Sequence, residues 1–302
     1  MPVPARIVDA HVHLYDIQQN RHRFLEKTDP GYEAFVGNYN SLPRRYLLDD
    51  YLADTHGYPV DAIVWHEFLS DEPWREAAWA QQRADAGGLR HALVAKVDFL
   101  DPALEAALER YADLRNVTAV REHLVWDDSH PLKRFAKRPD LMRDPAWRRK
   151  LRVLERHQFK CGLEVFSSQL GDLIEVIHQY PNIGFTIAVM GWPIDTTWPG
   201  FERWRCDITS VARCGNVCMD ISALECVFGM QWAWDDAQPW IRTAIECFGP
   251  SRCMLGSHLP IAKLSTGFGE LYRRYEQITE GCSADEIDEL FYGVANRWFR
   301  PA

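Results

Sequence analysis

The chain has 302 residues, with 34 Lys and Arg against 43 Asp and Glu and a formal charge of −9 when histidine is neutral. An acidic excess of this size argues against a surface that tracks nucleic-acid phosphates. Hydrophobic residues at 47% and charged residues at 25% describe a folded globule rather than a disordered or fibrous chain.

Taken in chain order, the segment Met1-Pro2-Val3-Pro4-Ala5-Arg6 lacks an apolar stretch of signal-peptide length. No later segment approaches the roughly 18 apolar residues that a membrane span needs, so a cytosolic location is expected. The first β-branched run covers 7–10 and is followed by a long excursion over 15–45, rich in aromatic and basic residues, with Tyr46 directly after it. Further runs at 62–65, 92–95 and 117–120 precede helical-period stretches at 73–86, 102–114 and 145–157, with a second excursion over 126–144. The runs at 161–165, 184–187, 217–221 and 253–256 alternate with helical stretches at 170–179, 201–212 and 239–248. Eight apolar strands alternating with helices predict a single (β/α)8 TIM barrel over 1–302, with its site at the strand C-terminal ends. An open doubly wound sheet is the alternative, but no Gly-x-Gly-x-x-Gly follows the first strand. Both excursions leave strand C-terminal ends, which places them to roof a pocket.

The most informative segment is Asp9-Ala10-His11-Val12-His13. Residues two apart on a strand share a face, so Asp9, His11 and His13 are expected to point into the barrel together. Two imidazoles there are metal ligands, polar substrate contacts or histidines satisfied by interior hydrogen bonds. Arg121 has the planar fork that suits a carboxylate, and a salt bridge with Glu67 or Glu164 is an equal reading. His66 and Glu67 leave the second strand together, and His123 shares the face of Arg121. Trp65, Trp126, Trp192, Trp232 and Trp234 follow strands closely, which suggests an aromatic-walled pocket for a small ring. Eight cysteines without a Cys-x-x-Cys pair read as reduced thiols, with Cys161, Cys218, Cys226 and Cys253 as core filler.

The Asp-x-His-x-His segment, followed by Trp65-His66-Glu67, Ala119-Val120-Arg121-Glu122, Leu163-Glu164-Val165-Phe166, Gly191-Trp192-Pro193, Gly256-Ser257-His258-Leu259-Pro260 and Tyr292-Gly293-Val294-Ala295-Asn296-Arg297, resembles the amidohydrolase superfamily. The similarity is to the branch that contains 2-pyrone-4,6-dicarboxylate lactonase and sugar-acid lactonases, and it covers nearly the whole chain. It implies a barrel enzyme that opens a small cyclic ester of a carboxylated or hydroxylated substrate. Three positions depart from the pattern of that branch. Val189 stands where a strand-six histidine is usual, Asp220 replaces a strand-seven lysine, and His258 replaces the strand-eight aspartate that takes a proton from water.

These departures read as loss of the site, leaving a binding barrel, or as rewiring. Under rewiring, His258 becomes the base, since an imidazole near pKa 6.5 accepts a proton at neutral pH, with Asp220 to orient it. His11 and His13 then polarise the carbonyl, while Arg121, His66, Glu67, His123, Tyr46 and Trp192 contact substrate. Alternatively His11 and His13, joined by His258 or Asp220, hold one divalent metal such as zinc. The resemblance includes metal-free members, and with both customary ligands replaced, a site without a tightly bound metal is the favoured expectation. A lyase that decarboxylates a small aromatic or cyclic acid is the rival activity. The expected partner is a small organic acid or its lactone, with no nucleic acid or membrane, and a homo-oligomer is compatible with the sequence.

Overall fold

The computed structural model describes residues 4–302. Eight strands run in chain order: β1 (Ile7–Val12), β2 (Val60–His66), β3 (Arg90–Lys96), β4 (Val117–His123), β5 (Lys160–Glu164), β6 (Phe185–Ile187), β7 (Val217–Ile221) and β8 (Cys253–Leu255). Each pairs in parallel with the next, so spatial order equals chain order. Beyond β8 the backbone returns to β1, where the His258 N–H donates to the His11 carbonyl at 2.7 Å and the His13 N–H to the Leu259 carbonyl at 2.8 Å. The sheet therefore closes on itself as a (β/α)8 barrel, and closure leaves no exposed edge. No helix among the described residues is long and apolar enough to cross a membrane.

Local chemistry starts the helices where the sequence places them. Pro30, Pro73 and Pro145 open helices Pro30–Val36, Pro73–Asp85 and Pro145–Leu151, where a missing N–H costs nothing and the fixed φ suits the first turn. The Asp29 and Asp144 carboxylates accept from Tyr32 N at 2.8 Å and Ala146 N at 2.6 Å, satisfying donors that have no partner within the helix. The single helix expected over 145–157 is two, Pro145–Leu151 and Val153–His157.

Two apolar layers follow from the strand alternation. Inside the barrel, Val8, Ala10, Ala62, Val64, Ala92, Val94, Ala119, Cys218 and Met254 pack with Tyr292, Val294, Ala295 and Phe299 of the C-terminal segment. The small side chains on four adjacent strands leave the room that this segment fills. Outside, Ile63, Trp65, Trp147, Trp204 and Tyr272 belong to the layer between strands and helices.

The strand register shifts at Ile7/Val8, at Asp9/Val12 and at Leu93/Val94, and the second of these lies beside the pocket. Asp9 is paired with Ile63 and Val12 with Trp65, so β1 carries one extra residue against β2, a β-bulge at Ala10 and His11. Asp9 consequently does not share the face of His11 and His13, as the period of two had suggested. Its carboxylate faces the outer layer, accepting from Ser257 N at 2.7 Å and Tyr51 Oη at 3.0 Å. The bulge lets Ala10 and His11 both point inward, and Asp9 ties the end of β8 to β1.

Candidate active site

The pocket opens at the strand C-terminal ends and encloses about 460 Å³ with its mouth. Its floor holds His11, His13 and His258, with Arg121, His123 and Glu164 beside them. The walls are Tyr32, Phe35 and Val36 from the first excursion, Phe135 from the second, Phe68 and Leu69 after β2, Val189 and Trp192 after β6, and Ala223 and Cys226 after β7. Both excursions thus contribute the roof expected of them.

The three histidines form a nearly regular triangle. Ring centroids of His11 and His13, His11 and His258, and His13 and His258 each lie 5.1 Å apart, with interplanar angles of 69°, 86° and 74°. One donor nitrogen from each lies within 4.8 Å of the other two. In each ring Nδ1 already has a partner: Asp220 Oδ2 for His11 at 2.8 Å, the His66 carbonyl for His13 at 3.0 Å and Glu225 Oε1 for His258 at 2.6 Å. An acceptor at Nδ1 places the proton there and leaves the Nε2 lone pair free, which is how imidazoles are oriented for a metal. His11 Nε2 is buried with no hydrogen-bond partner. Burial holds His11 and His13 well below the usual imidazole pKa, helped by the charges of His258 and Arg121 and, for His13, of His11, so both stay neutral as ligands must. Burial pushes Asp220 up to about 8, and a cation at the three histidines would supply the counter-charge this carboxylate lacks. The donor set therefore fits a divalent ion such as zinc. Close packing supports the arrangement, since a Cβ on Gly256 would lie 2.7 Å from His11 Cβ.

Two other groupings of metal-ligating side chains serve less well. His66 joins His11 and Asp220 in one, but His66 Nε2 meets the Ala10 carbonyl at 3.2 Å and Nδ1 faces Arg121 Nη1 at 3.4 Å, which leaves His66 no free lone pair. Glu225, Cys226 and His258 form the other, where Glu225 is already occupied at His258 Nδ1.

Beside the triangle lies a buried charge network. Arg121 donates from Nε to Glu67 Oε1 at 2.7 Å, from Nη2 to the Glu67 carbonyl at 2.7 Å and from Nη1 to Glu164. His123 places Nε2 2.8 Å from Glu67 Oε1 and Nδ1 2.7 Å from Glu164 Oε2. Burial opposes protonation of His123, but Glu164 and Glu67 outweigh it and raise its pKa. Burial likewise raises Glu164, yet Arg121 and His123 bring it down to about 2. Two cations and two carboxylates thus balance one another.

Several expectations change at this point. Arg121 satisfies both salt bridges at once rather than presenting a fork to an anion. His66 and Glu67 lie behind the pocket surface, His66 stacked under His11 at 3.8 Å and Glu67 holding Arg121, His123 and the Leu69 N–H at 2.6 Å. Tyr46 is remote, because its two-residue pairing with Tyr15 turns its hydroxyl toward Asp54 at 2.7 Å. Asp220 supports His11, not His258. Of the five tryptophans only Trp192 lines the pocket; Trp65 points outward against Trp79, 5.4 Å away. Cys226 is a wall residue rather than core filler.

Sequence reasoning missed Glu225, Phe35, Phe68 and Phe135 as site residues. Glu225 follows β7 by four positions on a helix too short to show a period, Leu224–Phe228. It also missed backbone strain after β6, where Val189, Met190, Gly191 and Trp192 have φ of 53°, 54°, 69° and 37°. Such values are rare for a β-branched or aromatic residue and mark a segment fixed by its surroundings. Hydrogen bonds from Trp204 Nε1 to the Met190 carbonyl at 2.8 Å and from Ser167 N to the Trp192 carbonyl at 3.1 Å hold it, turning Val189 and Trp192 onto the pocket wall.

Barrel topology, a strand-one histidine pair and buried carboxylates behind the imidazoles define the class of (β/α)8 proteins with a floor able to hold a metal. The Amidohydrolase family profile matches residues 8–300, and the chain belongs to that family. It is 27% identical to the uncharacterized protein y4mH of Sinorhizobium fredii, over 97% of this chain and 98% of that one. It is 24% identical to L-fucono-1,5-lactonase of Burkholderia multivorans, over 97% and 95% respectively. Among solved structures, an amidohydrolase from Burkholderia multivorans with bound zinc superposes with a TM-score of 0.79 at 22% identity, covering 99% of this chain and all of the other.

Proposed function

We propose that this chain is a metal-assisted hydrolase that opens a small cyclic ester, with His11, His13 and His258 as the ligands of one divalent ion. The observation that carries the reading is the triangle of imidazoles, each held by an acceptor at Nδ1 and each presenting Nε2. When bound, such an ion supplies Lewis acidity toward an ester carbonyl and toward water. Asp220, the His66 carbonyl and Glu225 fix the three rings and their tautomers, and the apolar walls exclude bulk water. His123 lines the pocket held between Glu67 and Glu164, and the proton that the departing ring oxygen gains is the one the attacking water gives up. This reading reverses the expectation of a site without tightly bound metal. It also moves His258 from base to ligand, since its free nitrogen cannot serve both roles.

Elemental analysis of protein purified without chelator should find zinc or another divalent ion near one per chain, falling several-fold in His11→Ala and His258→Ala. Ring opening of lactones, followed by acid release at constant pH, should disappear on chelation and return with zinc. Metal-free protein that opens lactones at an unchanged rate would defeat the proposal. Carbon dioxide release from aromatic acids without lactone opening would favour the lyase, for which the imidazole replacing a carboxylate after β8 is the supporting feature. Tight binding without turnover of either kind would leave a binding barrel.

A further inference from the structure

Resting on the hydrolase reading above, we infer that the substrate is an uncharged, flat ring ester and that the pocket selects against carboxylated forms of such a ring. A protein recognises a buried carboxylate with a cation whose donors are free, most often a guanidinium fork. Arg121 is the only guanidinium lining this pocket among the described residues, and its edges are taken by Glu67, Glu164 and the Glu67 carbonyl. His123, the second cation of the floor, is clasped between Glu67 at 2.8 Å and Glu164 at 2.7 Å. A substrate carboxylate would have to displace one of these glutamates or remain buried and unpaired, and either is costly.

The walls favour a flat apolar partner. Phe35 and Phe135 stack at 4.3 Å with 12° between their planes, Trp192 meets Phe35 edge-on at 5.4 Å, and Phe68 lies against His13 at 4.6 Å. Aromatic faces and edges in these orientations accept a planar ring well. A polyhydroxylated sugar ring would find few free polar partners there, because Trp192 Nε1 is turned to the Cys226 carbonyl at 3.3 Å.

The test compares three lactones on zinc-loaded protein: dihydrocoumarin, 2-pyrone-4,6-dicarboxylate and L-fucono-1,5-lactone. Dihydrocoumarin should be opened with a kcat/KM about 100-fold or more above the other two, the discrimination expected when a polar group is buried without a partner. A preference for either of the other two overturns the inference. Calorimetric binding of coumarin and coumarin-3-carboxylate separates this inference from the reading beneath it. If no lactone is opened, the hydrolase reading fails, while binding of coumarin at least about 10-fold tighter than its carboxylate still upholds charge selection. Equal or tighter binding of the carboxylate refutes it whatever the catalytic result.

Discussion

Glu225 lies 33 positions before His258 and sets the orientation of the only imidazole in the triangle that does not come from β1 or the residue directly after it. Its carboxylate fixes the proton on Nδ1 and makes Nε2 the better ligand, a role in which outer partners typically change metal affinity by about 10 to 100-fold. Glu225→Gln keeps size and one acceptor oxygen but removes the charge, so zinc affinity should fall about 10-fold or more with the fold unchanged. Competition with a chromophoric chelator measures the affinity, and circular dichroism checks the fold. Asp220→Asn should act in the same direction through His11. Affinities equal to the unsubstituted protein in both would show that the carboxylates neutralise charge without positioning the rings. Reading from sequence reached His11, His13 and His258, because their spacing and neighbours carry the signal. Glu225 stayed hidden because a short helix in a loop has no periodicity to read.

At the scale of elements, helix Pro73–Asp85 is fastened to the site through one buried carboxyl. Glu76 Oε1 accepts from Phe68 N at 2.7 Å, while Oε2 is buried without a partner. Burial, reinforced by the charge of Glu67, pushes Glu76 up to about 8. A carboxyl whose folded pKa lies above its unfolded value keeps its proton in the folded chain and loses it on unfolding. Stability from this group is complete below the unfolded value and is lost as pH rises toward about 8. Glu76→Gln replaces the neutral acid by a neutral amide of the same shape, so it should match the unsubstituted protein at pH 5 and exceed its stability at pH 9. The gain should be on the order of several kcal/mol. Urea denaturation at the two pH values decides, and parallel loss of stability in both proteins would show that Glu76 is ionised when folded. The β1 bulge is the other lesson at this scale. Strict alternation placed Asp9 beside the histidines, and one extra residue against β2 turned it outward.

For the molecule as a whole, closure of the barrel and the plug beneath it are coupled. Phe299 is 1% exposed and packs inside the barrel with Val8, Ala10 and Ala62, its ring 6.3 Å from that of His66. The apolar floor under the histidines therefore comes from the last turn of the chain. Phe299→Ala should cost about 3 to 5 kcal/mol, the range for emptying a buried aromatic site that cannot collapse. Chemical denaturation gives this number, and a loss below about 1 kcal/mol would mean that the segment relaxes into the space. The same variant should weaken zinc binding less than Glu225→Gln does, because it leaves all three Nδ1 partners in place.

The amino-acid sequence by itself determined the barrel, since near-continuous apolar strands alternating with amphipathic helices have few other ways to bury both faces of a sheet. It also determined which imidazoles gather at the strand ends, because closure brings the residues after β8 against β1. Only the tertiary structure decided what those residues can do. Whether Arg121 faces a substrate or two glutamates, whether Asp220 serves His11 or His258, and whether the pocket walls are tryptophans or phenylalanines depend on contacts between residues far apart in the chain. Such contacts are set by a bulge, a strained turn and the packing of two long excursions, features with no local periodicity to announce them.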